Sequence, residues 1–202
     1  MTSLFTSPLP VILAAGKSER MGAPKPFIQL KGKTFLENIV DKIINSGFPL
    51  PGLIIYNPEH ESRLKTLHLH DFDFIPNDHV EWGQLYSVQL AVRAIRPEST
   101  GFMMCLVDHP FVDVSTYNLM LRNHRLFPKN ILIPIYKGKR GHPPMFPKGL
   151  FSEITRLSPH LEGGMQTFIK DHRDIVLEVP ANDPGIMMDI DKPQDILKAF
   201  QE

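Results

Sequence analysis

Apolar residues along this chain fall into short, nearly unbroken runs, and between the runs the apolar positions recur with a helical period. The runs cover residues 11–14, 53–56, 72–75, 102–107, 131–135 and 175–179. Such runs carry little polar alternation and predict strands buried on both faces of a sheet. The clearest helix follows Thr34 and Glu37, which form a T-x-x-E capping box. Its apolar pairs Phe35/Leu36, Ile39/Val40 and Ile43/Ile44 make one stripe, and Asn45, Ser46 and Gly47 close it, with Gly47 at the C′ position. A second helix is predicted over 83–95, with Leu85, Val88, Val92 and Ile95 on one face and Pro97 beyond its end. Others are predicted over 114–125, 149–157, 164–170 and 193–200, and a weak one over 59–67 after Asn57-Pro58.

Strands alternating with helices predict an α/β fold: a Rossmann-like three-layer sandwich whose mostly parallel central sheet is covered by helices on both faces. Residues 136–146 depart from the alternation. They read as two short extended pieces joined by Gly138-Lys139-Arg140-Gly141, a small β-hairpin insertion. No repeat, low-complexity stretch or linker divides the chain. Its 202 residues suit one sizeable core better than two, so residues 1–202 are expected to form a single domain.

Composition removes several classes of function. Lys plus Arg and Asp plus Glu both total 22, which argues against bulk binding to nucleic acid or to a membrane surface. Cys105 is the only cysteine, so neither an intrachain disulfide nor a thiolate metal cluster can form. No apolar run approaches the ~20 residues of a membrane helix. The first ten residues lack the charged and apolar regions of an export signal, so a cytoplasmic enzyme or binding protein is expected.

Candidate chemistry begins where the first strand ends. Ala15 and Gly16 open a loop carrying Lys17, Arg20 and Lys25, punctuated by Gly16, Gly22 and Pro24. A strand ending at glycine lets backbone N–H groups approach an anion, and three cations can hold a polyphosphate. The spacing is neither a Walker A loop nor G-x-G-x-x-G. Asp108 ends the run over 102–107, at the carboxyl end of a strand, where it could hold Mg²⁺ beside a polyphosphate or serve as a turn residue ahead of Pro110. Asp189 and Asp191 could share a cation from one face of a strand end. The local pattern of Asp191, Pro193 and Gln194 instead favours an N-cap. By themselves Arg140 reads as a solvated turn cation and His142 as a cap on the hairpin. His68 and His70 read as an exposed loop pair, and Trp82 as filling the sheet–helix interface. Cys105, Met103/Met104 and Met187/Met188 read as core.

The stretch LAAGKSERMGAPK at 13–25 resembles the L-x-x-G-x-x-x-R-M-G-x-x-K signature of the MobA-like nucleotidyltransferases, which couple a nucleoside triphosphate to a phosphorylated acceptor. Leu-Val-Asp-His-Pro at 106–110 resembles the family's D-x-P element, which implies that Asp108 binds the catalytic Mg²⁺. Asp-Ile-Asp-Lys-Pro-Gln-Asp at 189–195 is similar to its D-I-D-T-P-E-D element, which implies Asp191, with Asp189 close behind, as the second metal-side carboxylate. Glu-Trp-Gly-Gln-Leu-Tyr-Ser-Val at 81–88 resembles the G-x-x-x-S-[LV] element that frames the base in molybdenum cofactor cytidylyltransferases. Arg-Gly-His-Pro-Pro-Met-Phe at 140–146 resembles their acceptor-side R-G-H-P-x-x-F. Guanylyltransferase relatives read L-A-G-G where this chain has Leu13-Ala14-Ala15-Gly16. Gly163-Gly164-Met165-Gln166 stands where the cytidylyl subfamily commonly has G-A-R.

The resemblance implies a Mg²⁺-dependent enzyme that moves CMP from CTP to the phosphate of the molybdopterin cofactor and releases pyrophosphate. Arg20, Lys25 and Asp108 would be catalytic, and Leu13, Ala14, Ala15, Gly16, Gly83 and Ser87 would join them around the nucleotide. Arg140, Gly141, His142 and Pro143 would face the acceptor, and a molybdoenzyme of the xanthine dehydrogenase type would be the protein partner. The alternatives are GTP or a sugar phosphate as substrate on the same fold, or a non-catalytic carrier of the finished cofactor.

Overall fold

All six apolar runs become strands of one sheet in the computed structural model, which describes residues 7–69 and 71–199. β1 (Leu9–Ala14) leads into an antiparallel ribbon of β2 (Gln29–Leu30) and β3 (Lys33–Thr34), and Thr34 caps α1 (Phe35–Asn45). Both halves of the capping box form: Glu37 N donates to Thr34 Oγ1 at 3.2 Å, and Thr34 N donates to Glu37 Oε2 at 2.8 Å. Next come β4 (Gly52–Tyr56), α2 (Glu61–Leu64), β5 (Phe72–Pro76), α3 (Gln84–Ala94), β6 (Gly101–Leu106), α4 (Val114–Leu126) and β7 (Ile131–Tyr136). β8 (Lys139–Arg140), β9 (Met145–Pro147), α5 (Phe151–Arg156), α6 (Gly164–Asp171), β10 (Val176–Pro180) and α7 (Pro193–Ala199) complete the chain. The helix expected over 59–67 shrinks to a 3₁₀ turn and the single turn of α2, where only Leu64 is buried and little packing rewards a longer one. The expected end of the last helix at Phe200, the first six residues and His70 lie outside the described residues.

The sheet order is β10-β7-β9-β6-β1-β4-β5, with β8 paired to β7. β1 is parallel to both neighbours, Val11 standing opposite Leu53 on β4 and Met104 on β6. From β1 the chain moves outward through β4 to β5, then returns to lay β6 on the other side of β1. That reversal opens a crevice beyond the carboxyl ends of β1 and β6, where ligands of open α/β sheets sit.

Alternate residues of each central strand serve opposite cores. Ile12, Met103 and Cys105 meet α1 and α4 through Phe35, Ile39 and Met120. Val11, Leu13 and Met104 meet α3, α5 and α6 through Val88, Ile154 and Phe168. Burial on both faces explains why these strands read as unbroken apolar runs. No helix among the described residues is long and apolar enough to cross a membrane.

Three local expectations change. The hairpin turn lies at Lys137-Gly138, with φ of 48° and 76°, two residues earlier than Gly138–Gly141. Two left-handed residues suit the twist of a two-residue hairpin, and a lysine does not advertise that conformation. The returning segment then enters the main sheet: β9 lies antiparallel between β6 and β7, Phe146 opposite Phe102 and Met145 opposite Leu132. Trp82 is half-buried in a cluster of rings, stacked on His79 at 4.1 Å and against Tyr86, rather than at a sheet–helix interface. Met103 and Met104 are core, but Met187 is 37% exposed, ending a short 3₁₀ turn, Pro184–Met187, that buries Gly185 and Ile186 instead.

Candidate active site

The loop after β1 is built to hold its cations still. Met21 is buried in the core and pins the middle of the loop, and Lys25 N donates to Ser18 Oγ at 2.9 Å. Lys25 lies in a 3₁₀ turn, Lys25–Phe27, with Pro24 before it and buried Phe27 as its anchor. Its side chain is only 11% exposed, whereas that of Arg20 is 66% exposed.

The acids reach this loop through a second set of contacts. β6 ends in a turn in which His109 N donates to Leu106 O at 3.1 Å. Lys42 Nζ, from α1, donates to Pro110 O at 2.6 Å and holds that turn against the helix layer. Asp183 is buried and accepts from Asp113 N at 2.8 Å, Thr116 Oγ1 at 2.7 Å and Gly185 N at 2.8 Å. Ile190 N donates to Asp108 O at 2.9 Å. The segment after β10 is thereby sewn to the turn after β6, and Asp189 and Asp191 arrive beside Asp108.

Lys25 sits among these acids. Its Nζ donates to Asp108 Oδ2 at 2.8 Å and to Asp191 Oδ1 at 2.6 Å, and lies 4.0 Å from Asp189. Arg20 pairs with the other oxygen of Asp191. Burial alone would lower the Lys25 pKa, but the hydrogen bonds to Asp108 and Asp191 outweigh it and raise it. The hydrogen bond from Lys25, with the charges of Lys25 and Arg20, holds Asp191 below the usual carboxylate range. Asp189 moves the other way, raised by burial and by the negative charges of Asp108 and Asp191. Asp191 does not supply the expected N-cap, because its carboxylate is turned to Lys25 and Arg20; Asp195, in the first turn of α7, reaches back and its Oδ2 accepts from Asp191 N at 3.1 Å and Lys192 N at 2.8 Å.

These groups fit a divalent cation. One ligand atom from each of Asp108, His109 and Asp189 lies within 4.8 Å of the others. Asp108 Oδ1 is buried with no hydrogen-bond partner among the described residues, and a bare carboxylate oxygen beside further donors is what a cation neutralises. Asp191 differs: both of its oxygens are committed to Lys25 and Arg20.

A cavity of about 470 Å³ fills the crevice. Ala15, Gly16, Lys17, Arg20, Lys25 and Asp108 line it, with Leu13 and Asp191. Gly83 and Ser87 line it as well. Gly83, at φ +82°, opens α3 in a conformation that an L side chain rarely adopts. Asn77, which the sequence did not single out, also lines the cavity, and its Nδ2 donates to Ser87 Oγ at 2.8 Å. A polar residue just past a strand's carboxyl end was its one visible signal. Ala14 is 1% exposed and belongs to the core on the opposite face.

The segment 140–143 is not brought into the cavity wall. Arg140 Nε donates to Glu178 Oε1 on β10 at 2.8 Å, and Pro143 is buried. Gly141 is pressed against Ile186, whose carbonyl oxygen would lie 2.4 Å from an added Cβ. His142 reaches the back of the site: its ring centroid is 4.6 Å from that of His109. Burial, then the neighbouring His109, lowers its pKa to about 4, and burial lowers that of His109 as well.

Residues 10–176 match the MobA-like NTP transferase domain. The chain belongs to that family. Members of the MobA-like family are nucleotidyltransferases, and one curated relative is a probable molybdenum cofactor guanylyltransferase of Natranaerobius thermophilus. It is 28% identical over 130 residues, which cover 63% of this chain and 60% of that relative's length. Among solved structures, Rv0371c from Mycobacterium tuberculosis H37Rv superimposes with a TM-score of 0.83 at 25% identity, covering 98% of this chain and 99% of that one. A second structure of Rv0371c, in complex with manganese, gives a TM-score of 0.79 at 24% identity over 98% of this chain and 100% of that one.

Proposed function

We propose that this MobA-like protein transfers CMP from CTP to the phosphate of molybdopterin and releases pyrophosphate. One observation carries the reading: two cations and two distant acidic segments meet in the wall of a cavity that Gly83, Ser87 and Asn77 also line. At about 470 Å³ the cavity is within the usual range for a small-ligand site.

The chemistry asks for positioning rather than a base. A phosphate monoester has a second pKa of about 6, so it is a dianion at neutral pH and can attack without losing a proton. The barrier is repulsion between that dianion and the triphosphate. Lys25 and Arg20, now shared with Asp191, gain phosphate oxygens as partners and neutralise the charge that develops on pyrophosphate. Backbone N–H groups around Ala15 and Gly16 receive the phosphates, and Ser87, braced by Asn77, faces the base. Asp108 and Asp189, with Asp191 beside them, would hold a divalent cation, Mg²⁺ by the resemblance, which when bound screens the α-phosphate from the incoming anion. The manganese complex of the M. tuberculosis relative supports a divalent ion in this fold.

Two features favour CTP: the base-side element at 81–88, and Ala15, whose methyl takes space in the wall where guanylyltransferase relatives have glycine. A second reading, GTP as donor, is favoured by the name of the N. thermophilus relative. Pyrophosphate release across four nucleoside triphosphates, with and without molybdopterin, in Mg²⁺ and in EDTA, decides between them. The expected result is turnover with CTP that needs both metal and acceptor and is lost in Asp108→Ala. Turnover with GTP alone would replace the donor, and full activity of Asp108→Ala would remove the assignment of that carboxylate.

A further inference from the structure

His109 directly follows Asp108 at the end of β6, and its ring is buried at 7% exposure. Among the described residues its Nδ1 has no hydrogen-bond partner, nor has Oδ1 of the adjacent Asp108. Leaving a buried polar atom unpaired costs about 1–3 kcal/mol, so two in adjacent residues call for an explanation. Packing supplies only part of one. His109 lies against His142 with ring centroids 4.6 Å apart, and that contact leaves the Nδ1 of both rings without partners. The other part is geometric: a His109 ring nitrogen lies within 4.8 Å of a carboxylate oxygen of both Asp108 and Asp189. Lys25 engages Asp108 through Oδ2, which leaves Oδ1 to another partner.

We infer that His109 is a ligand of the divalent cation, forming with Asp108 and Asp189 a mixed nitrogen–oxygen set that binds Mn²⁺ more tightly than Mg²⁺. The inference rests on the divalent-metal part of the function proposed above and adds the ligand that sets metal preference. Mg²⁺ takes oxygen ligands and keeps much of its water, whereas an imidazole nitrogen suits transition-metal ions. Asp191, held on both oxygens by Lys25 and Arg20, stays outside the set and serves the cations.

The test uses the full chain and Mn²⁺ alone, without nucleotide. Electron spin-echo modulation of bound Mn²⁺ should show a histidine nitrogen, and labelling with ¹⁵N-histidine should convert the ¹⁴N pattern to ¹⁵N without any substitution. The modulation should vanish in His109→Gln and persist in His142→Gln. Titration of the free-Mn²⁺ signal should show His109→Gln weakening Mn²⁺ at least about tenfold, with Mg²⁺ competing more effectively than in the wild type. Bound Mn²⁺ with no nitrogen modulation, or modulation that survives in His109→Gln, overturns the inference. If Asp108→Asn still abolishes Mn²⁺ binding in that case, the metal reading stands and only the role of His109 is lost. Failure of the wild type to bind Mn²⁺ removes both.

Discussion

Lys25 and Asp108 are 83 residues apart in the chain, and the Lys25 ammonium donates to Asp108 Oδ2 at 2.8 Å. The same ammonium reaches Asp191, 166 residues away, at 2.6 Å. One cation therefore balances acids from two loops that would otherwise repel each other at the carboxyl ends of the central strands.

Replacing that cation tests its importance for catalysis. Lys25→Met keeps the length of the stem and removes the charge, so turnover with CTP and molybdopterin should fall roughly a hundredfold or more. Affinity for Mn²⁺ in the absence of nucleotide should hold or rise, because no ammonium competes for Asp108. Steady-state kcat and a metal titration measure the two effects, and a kcat within threefold of wild type would remove Lys25 from the machinery.

Asp183 governs whether the acids meet at all. Asp183→Ala strands the donors of Asp113, Thr116 and Gly185 in a buried site, at about 1–3 kcal/mol for each group left unsatisfied. Unfolding free energy from denaturant titration should drop by about 3 kcal/mol or more. Turnover should drop with it, since the segment carrying Asp189 and Asp191 loses its tie to α4. An unchanged denaturation midpoint would mean the tie is ornamental.

Stability should also fall as the solution becomes mildly acidic. The His142 pKa lies near 4 in the folded chain, against an ordinary 6.5, so from pH 6.5 downward the unfolded chain takes up a proton that the folded chain refuses. Stability is lost progressively between about pH 6.5 and 4 and levels off below. His60, His109 and His124, also lowered by burial, add slope of the same sign. Asp191 adds its own loss only at lower pH, as it protonates below the usual carboxylate range. Urea denaturation at pH 7.5, 5.5 and 4.5 should therefore show a shallower decline for His142→Gln than for wild type. Equal slopes would contradict the burial argument.

Gly141 should be intolerant of a side chain for a reason of packing. A Cβ there meets the Ile186 carbonyl at 2.4 Å, and backbone cannot swing aside as a flexible side chain can. Gly141→Ala should lower the melting temperature and, by shifting the segment that leads to Asp189, lower kcat as well. Gly149→Ala, where nothing among the described residues lies within 4 Å of the added carbon, is the control expected to stay near wild type.

Local chemistry was legible wherever neighbours in sequence decide the outcome. Thr34 and Glu37 cap α1 because the two side chains and the two amides that they satisfy belong to one turn. The central strands were readable because burial on both faces leaves no polar alternation to confuse the pattern. The sequence puts the hairpin turn too late because Lys137 occupies a left-handed position that usually announces itself as Gly or Asn. It shows β9 only as the arm of an isolated hairpin because three residues carry no record of which strands will flank them.

The sequence by itself determined the layered α/β plan, the cationic loop after β1 and the acid at the carboxyl end of β6, whereas Asp189 and Asp191 lie in a loop and not at a strand end. Those three features depend on periodicity and on the choice of residues within a few positions. Only the tertiary structure decided which acid meets which cation. It paired Asp191 with Lys25 and Arg20, left Asp195 to hold the amide of Lys192 ahead of α7, set Asp189 and His109 beside Asp108, and turned Arg140 toward Glu178. Each of these outcomes rests on charge and hydrogen-bond complementarity between segments brought together by sheet order, a relation that is not written in any one stretch of the chain.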